Sequence, residues 1–154
     1  MNTWLTAGLR AAVSGSIASV LMGATLAALA RTEGKGALQP INATSHWLHG
    51  DQAAAIREAD ASHTALGYAT HHASAWLWAL LFERWLGDRA PREPAAVFRA
   101  AAATSAIAAA VDYGLTPKRL TPGWENVLSK RAMALTYLVM AVGLTTGALL
   151  NRRR

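Results

Sequence analysis

All five histidines of this chain fall between residues 46 and 72. They form two groups with different chemistry. In His46-x-x-His49-x-Asp51 the spacing of three puts two imidazoles on one helical face, a grip that suits zinc or copper. His63 or Asp60 would complete a set of three or four ligands for a divalent metal. His71 and His72 instead lie inside a long stretch without formal charge. Adjacent residues on a helix diverge by about 100°, so the two rings address different targets. His71 shares its face with Gly67, Ala75 and Trp78, and Gly67 leaves room beside it. His72 stacks toward Tyr68 and Trp76. A neutral imidazole bonded to a neighbouring Ser or Thr glues helices together, whereas one facing a cavity is a ligand or proton site. A haem held between two helices needs histidines on both, and the other three apolar stretches contain none.

Other reactive machinery is absent from the sequence. There is no cysteine, so no thiolate metal site and no disulfide. No phosphate loop, dinucleotide glycine pattern or nucleophile elbow occurs. The expected cofactor complement is therefore none, with the divalent metal as the alternative.

The elements that must carry these residues are legible from where charge is missing. The 154 residues include 35 alanines and only 16% charged residues, with a net charge of +6. All the charges lie outside four windows: 11–30, 61–82, 100–111 and 132–151. About 20 apolar residues cross a hydrocarbon core of roughly 30 Å. Three windows have that length outright, and the fourth reaches it when extended to 95–115. A soluble helix needs a polar stripe at the 3.6-residue period, and 11–30 has no charge on any face. The expectation is an all-α integral membrane protein: a single four-helix transmembrane bundle with helices at about 9–30, 61–85, 95–114 and 122–150. The connection 31–60 is expected to hold a short amphipathic, interfacial segment with Ile41, Trp47 and Leu48 at the membrane surface, and a helix at 52–59. The triplet Asn42-Ala43-Thr44 matches a glycosylation acceptor.

Equal depth in one bilayer would bring Ser19, His71, His72, Thr104 and Ser105 into a polar layer at mid-membrane. Small residues recur every fourth position at Ala11, Gly15, Ser19, Gly23 and Ala27, and again at Gly143 and Gly147. In lipid such faces let backbones approach closely, either within one bundle or in a homodimer. Lys and Arg counts on the two sides are nearly equal, but their density in the second connection and the C-terminal tail puts both termini in the cytoplasm. Ala28-Leu29-Ala30 has the form of a signal-peptidase site, yet the apolar window before it is long and rich in Gly and Ser, so helix 1 is expected to be retained. The expected partners are the bilayer, its anionic head groups and a homo-oligomer or larger membrane complex. The scattered cations do not suit nucleic acid.

Two segments carry a family likeness. His63 to His72 runs into an aromatic-rich span, and the later stretch reads Asp112-Tyr113-Gly114-Leu115-Thr116-Pro117, then Trp124-Glu125-Asn126. Together they resemble the small bacterial inner-membrane proteins of the YagU type. That resemblance implies a bacterial inner-membrane location without a defined activity, and it draws attention to Gly114, Thr116, Pro117, Trp124, Glu125 and Asn126. The expected function is a non-enzymatic accessory or envelope role. The alternatives are an oligomeric transporter or proton-handling unit using His71, and a membrane metal protein using His46, His49 and His63.

Overall fold

A computed structural model describes residues 3–87 and 93–152. Among them the fold is helical throughout, without strands. Four long helices, α1 (Thr3–Thr32), α4 (Leu66–Leu86), α5 (Pro94–Gly114) and α6 (Lys130–Asn151), form the body. Two short ones, α2 (Gln39–Ala43) and α3 (His46–His49), lie in the connection between α1 and α4. Three helices are long and apolar enough to cross a membrane: Thr3–Thr32, Pro94–Leu115 and Lys130–Asn151. The described residues are thus all-helical, with three helices of membrane-spanning length and apolarity, the character of a membrane protein. α4 falls short of that measure because imidazole, hydroxyl and indole groups, with Glu83 and Arg84 at its end, replace aliphatic side chains.

Local chemistry sets the boundaries. Glu93 caps α5, its carboxylate accepting from the backbone N–H groups of Ala95 at 2.9 Å and Ala96 at 2.7 Å, and Pro94 takes the first-turn position where its missing N–H costs nothing. Ser129 caps α6 through the Ala132 N–H, so the helix starts at Lys130 and not at Pro122. A π turn at Ala61–Ala65 precedes α4, with Asp60 accepting from the His63 N–H at 2.9 Å.

The long helices run alternately up and down, and the pairs α4–α1, α1–α6 and α6–α5 pack closely while α4 and α5 touch only lightly. Small residues explain the close pairs. A Cβ on Gly143 would lie 2.5 Å from the Ala18 Cα, and one on Gly147 would overlap the Ser14 Cα, so α6 rides directly on the backbone of α1. A Cβ on Gly15 would lie 2.9 Å from the Trp76 Cα, which seats α4 on another face of α1. These glycines thus serve packing within the chain. Gly23 differs: its nearest neighbour is the Tyr68 Cε2 at 3.9 Å, an ordinary contact with room to spare.

The connection between α1 and α4 folds onto one end of the bundle. Every residue from Gln39 to His46 is buried, including Ile41, while Leu48 remains exposed. This segment is therefore packed core and not a surface-lying amphipath. Asn42 organises it: its Nδ2 donates to the Ile56 and Glu58 carbonyls, both at 2.9 Å, and its Oδ1 accepts from Thr64 Oγ1 at 2.6 Å. With no exposed surface and its amide engaged, Asn42 has no room for a glycan. The expected helix at 52–59 is a single 3-10 turn at Asp51–Ala55, because the backbone must then extend to present those two carbonyls to Asn42. Gly67 permits the docking of α2 on α4, since a Cβ there would overlap the Ile41 carbonyl oxygen.

Candidate functional site

The second connection, residues 115–129, meets the first and completes a two-part cap. His46 Nε2 bonds the Thr121 carbonyl at 2.9 Å, Arg119 Nε donates to the Trp47 carbonyl at 3.0 Å, and Trp124 Nε1 donates to Thr44 Oγ1 at 3.1 Å. Thr121 Oγ1 also bonds Glu125. Trp124 is only 3% exposed, which is unusual for a large residue in a connection. Its ring stands edge-on to His71 with centroids 5.8 Å apart and 5.9 Å from the Tyr137 ring. Glu125 and Asn126 are exposed beside it, and Gly114 borders open space.

Beneath this cap lies a cavity of about 190 Å³. α4 contributes Thr70, His71, Ser74 and Trp78, the cap contributes Trp47 and Trp124, and α5 and α6 contribute Asp112 and Tyr137. Met22 and Met140 line the depth. The walls come from both α4 and α5, the pair of helices that barely touch, and the exposed Ser74 and Leu120 form the rim. The cavity is a lateral crevice at the one loose seam of the bundle.

Its polar groups are few and mostly committed. His71 is 3% exposed and its Nε2 lies 3.0 Å from the Ser19 carbonyl. A carbonyl only accepts, so Nε2 carries the proton and the neutral ring keeps Nδ1 as an acceptor. Asp112 Oδ2 accepts from Tyr137 OH at 2.6 Å. Trp47 Nε1 donates to Thr70 Oγ1 at 3.2 Å. No known family model, curated protein or solved structure matches this chain.

The expected polar layer resolves into two parts. Ser19, His71 and His72 do meet: the Ser19 hydroxyl bonds His72 Nδ1 at 3.2 Å while its carbonyl takes His71. Thr104 and Ser105 lie on α5, which packs chiefly against α6, and the Thr104 hydroxyl bonds back to the Ala100 carbonyl. The contacts Ala18–Gly143 and Tyr137–Asp112 set an antiparallel register that puts Ser105 within a turn of the height of Ser19. Equal height is thus met, but α6 stands between. The Ser105 hydroxyl is buried without a partner.

The expected metal site does not assemble. His49 and His63 face each other, with ring centroids 4.3 Å apart, but His46 is buried with its Nε2 turned to Thr121. His63 Nδ1 is already bonded to Asp60 at 2.8 Å. Among the described residues no group of three or more His, Asp or Glu is placed to hold a metal ion. The reason is tertiary: α3 is a single turn whose two imidazoles serve different neighbours.

Two features escape sequence reading. Glu83, which reads as a marker of the helix exit, is 1% exposed at the end of the bundle away from the cap. Its Oε2 lies 3.9 Å from Arg152 Nη2, and Asn151 Nδ2 reaches both Glu83 Oε1 at 3.3 Å and the Arg10 carbonyl at 2.9 Å. The other is the aromatic crevice itself, whose walls come from segments up to 118 residues apart in the chain, between Met22 and Met140.

Proposed function

We propose that this protein is a polytopic binding protein of a bacterial inner membrane, with an accessory or envelope role and no catalysis of its own. The lateral crevice under the cap carries the reading. It has a few polar groups set in aromatic walls, the composition of small-molecule sites. Its volume of about 190 Å³ compares with the roughly 150 Å³ that holds one benzene.

On this reading α4 is a fourth span. It lies antiparallel to α1 from Gly15 to Gly23, so it shares the depth of a membrane-capable helix, and it turns Leu77, Leu81 and Trp85 outward. Lipid chains and anionic head groups are then the immediate surroundings, and both termini face the cytoplasm. The arginines at 89, 92, 153 and 154, on which that orientation leans, lie outside the described residues. The Gly114–Pro117 turn and the Trp124–Asn126 stretch support placement with YagU-type proteins. A second reading, transport of the ligand by an oligomer built around His71, is favoured by the place of that ring in the crevice wall.

Binding is tested on the purified protein in lipid nanodiscs with 3,3-dimethyl-1-butanol, a compact, neutral, water-soluble probe, followed by saturation-transfer NMR. Saturable binding that Ser74→Trp at the rim abolishes supports the reading. Binding indifferent to Ser74→Trp, or failure to bind by both this alcohol and its charged isostere choline, overturns it. Ligand flux in liposomes that His71→Ala removes would favour transport.

A further inference from the structure

The crevice has a chemical signature more specific than its volume. Four aromatic rings, Trp47, Trp78, Trp124 and Tyr137, contribute to one wall system. Their faces carry the negative end of the ring quadrupole, which attracts a cation. The only carboxylate in the lining is Asp112, and one of its oxygens accepts from Tyr137 OH while the other has no protein partner among the described residues. Of the other polar wall groups, the Thr44, Thr70 and Thr121 hydroxyls donate to protein oxygens, Ser74 sits exposed at the rim, and His71 Nδ1 is an acceptor, since Nε2 holds the proton against Ser19.

Among the described residues no Lys or Arg lines the cavity. Arg119, in the cap, is exposed and directs its Nε to the Trp47 carbonyl. A wall that offers aromatic rings, a carboxylate and one acceptor nitrogen, with no fixed positive charge, is complementary to a positive ligand. An anionic ligand would meet the field of Asp112. A neutral one would leave that carboxylate without a countercharge in a low-dielectric site, an expensive arrangement.

We infer that the crevice takes a small organic monocation of the quaternary or tertiary ammonium class, caged by Trp47, Trp78, Trp124 and Tyr137 and neutralised by Asp112. The inference rests on the proposal that the crevice is a binding site. Its size admits a trimethylammonium group and excludes a large amphiphile. Caging by rings in place of hydrogen-bond donors would favour fully alkylated nitrogen over a primary amine, whose hydration is harder to replace.

Choline and 3,3-dimethyl-1-butanol share one shape, and a single carbon replaces the charged nitrogen in the second. Titrated separately into the nanodisc-bound protein, choline should bind at least about tenfold more tightly than its neutral isostere, the factor that about 1.4 kcal/mol supplies. Asp112→Asn keeps an acceptor for Tyr137 and removes the charge, so it should lower the ratio several-fold, to the preference the ring cage alone supplies, with the isostere binding at least as well as before. Trp78→Leu should lower choline affinity several-fold. Equal binding of both probes by the wild type would overturn the cation inference and leave the binding site standing. A ratio unchanged in Asp112→Asn would also overturn it. Failure of both probes to bind would overturn the binding site itself.

Discussion

Gly143→Ala adds one methyl group to a helix crossing that has no space for it. The new Cβ would sit 2.5 Å from the Ala18 Cα and 3.0 Å from both its Cβ and its backbone nitrogen. Ordinary carbon contacts lie at about 3.5–4.0 Å, so α6 must withdraw from α1 by about 1 Å or more. Neither neighbour can yield by turning a side chain, because two of the three atoms are backbone. In lipid the helices are held by close packing, since the hydrophobic effect does not distinguish a neighbouring helix from an acyl chain. Widening the crossing therefore removes much of what holds it. Overpacking of this kind costs about 1–3 kcal/mol, against a helix-propensity gain from Gly to Ala of up to about 1 kcal/mol. The net effect should be clearly destabilising. Gly23→Ala is the internal control: with its nearest atom 3.9 Å away, only the propensity gain remains. Unfolding by sodium dodecyl sulfate in mixed micelles, followed by helicity, should show Gly143→Ala losing stability and Gly23→Ala keeping or gaining it. Equal effects at the two positions would refute the assignment of α1–α6 contact to the Gly143 face.

Three further outcomes follow from the same geometry. Gly67→Ala should detach α2 from α4, because its Cβ overlaps the Ile41 carbonyl, and limited proteolysis within residues 39–60 should accelerate sharply while the long helices stay intact. Ser62 Oγ, then the His63 ring and backbone N–H, hold the Asp60 carboxylate well below the usual carboxylate range; its support of the turn before α4 is therefore complete above the ordinary carboxylate pKa and lost as pH falls from about 4 toward the depressed value. Amide exchange at His63 and Thr64 should speed up over that acid range, and Asp60→Asn should flatten the response. Arg152→Ala should destabilise by removing a countercharge from buried Glu83, whereas the double change Glu83→Gln with Arg152→Ala should recover most of the loss in the same unfolding assay.

How much of this was legible in the sequence depends on the range of the interaction. The long helices follow from charge-free windows and from local caps such as Ser129 and Glu93, which act within three residues. Helical periodicity puts His71 on one face with Gly67, and the structure buries His71 and leaves His72 partly accessible, but the room expected beside Gly67 is filled by the Ile41 carbonyl. The cap does not follow from any period. It is assembled by Asn42, His46 and Trp124, each reaching a partner between 14 and 80 residues away. Trp124 stands out in the sequence only through a family likeness. Its contact with His71 depends on two connections meeting, which no hydropathy window encodes. The histidine triplet fails as a metal site for the same reason: spacing along the chain places His46 and His49 on one turn but does not say what else each ring will bond.

The tight contact between Gly143 and Ala18 has a consequence for the order of assembly. Ninety-seven residues separate the end of α1 from the start of α6. At about 5–20 residues per second of synthesis, α1 waits some five to twenty seconds for the partner that covers its Ser14–Ala18 face. On the proposed membrane reading, the face is exposed during that time to lipid, to the insertion machinery or to the same face of another nascent chain. α4 arrives earlier and covers only the Gly15 side. The bundle thus closes by return of a late helix onto an early one, and any factor that shields small-residue helices during insertion would govern its yield more than its final stability.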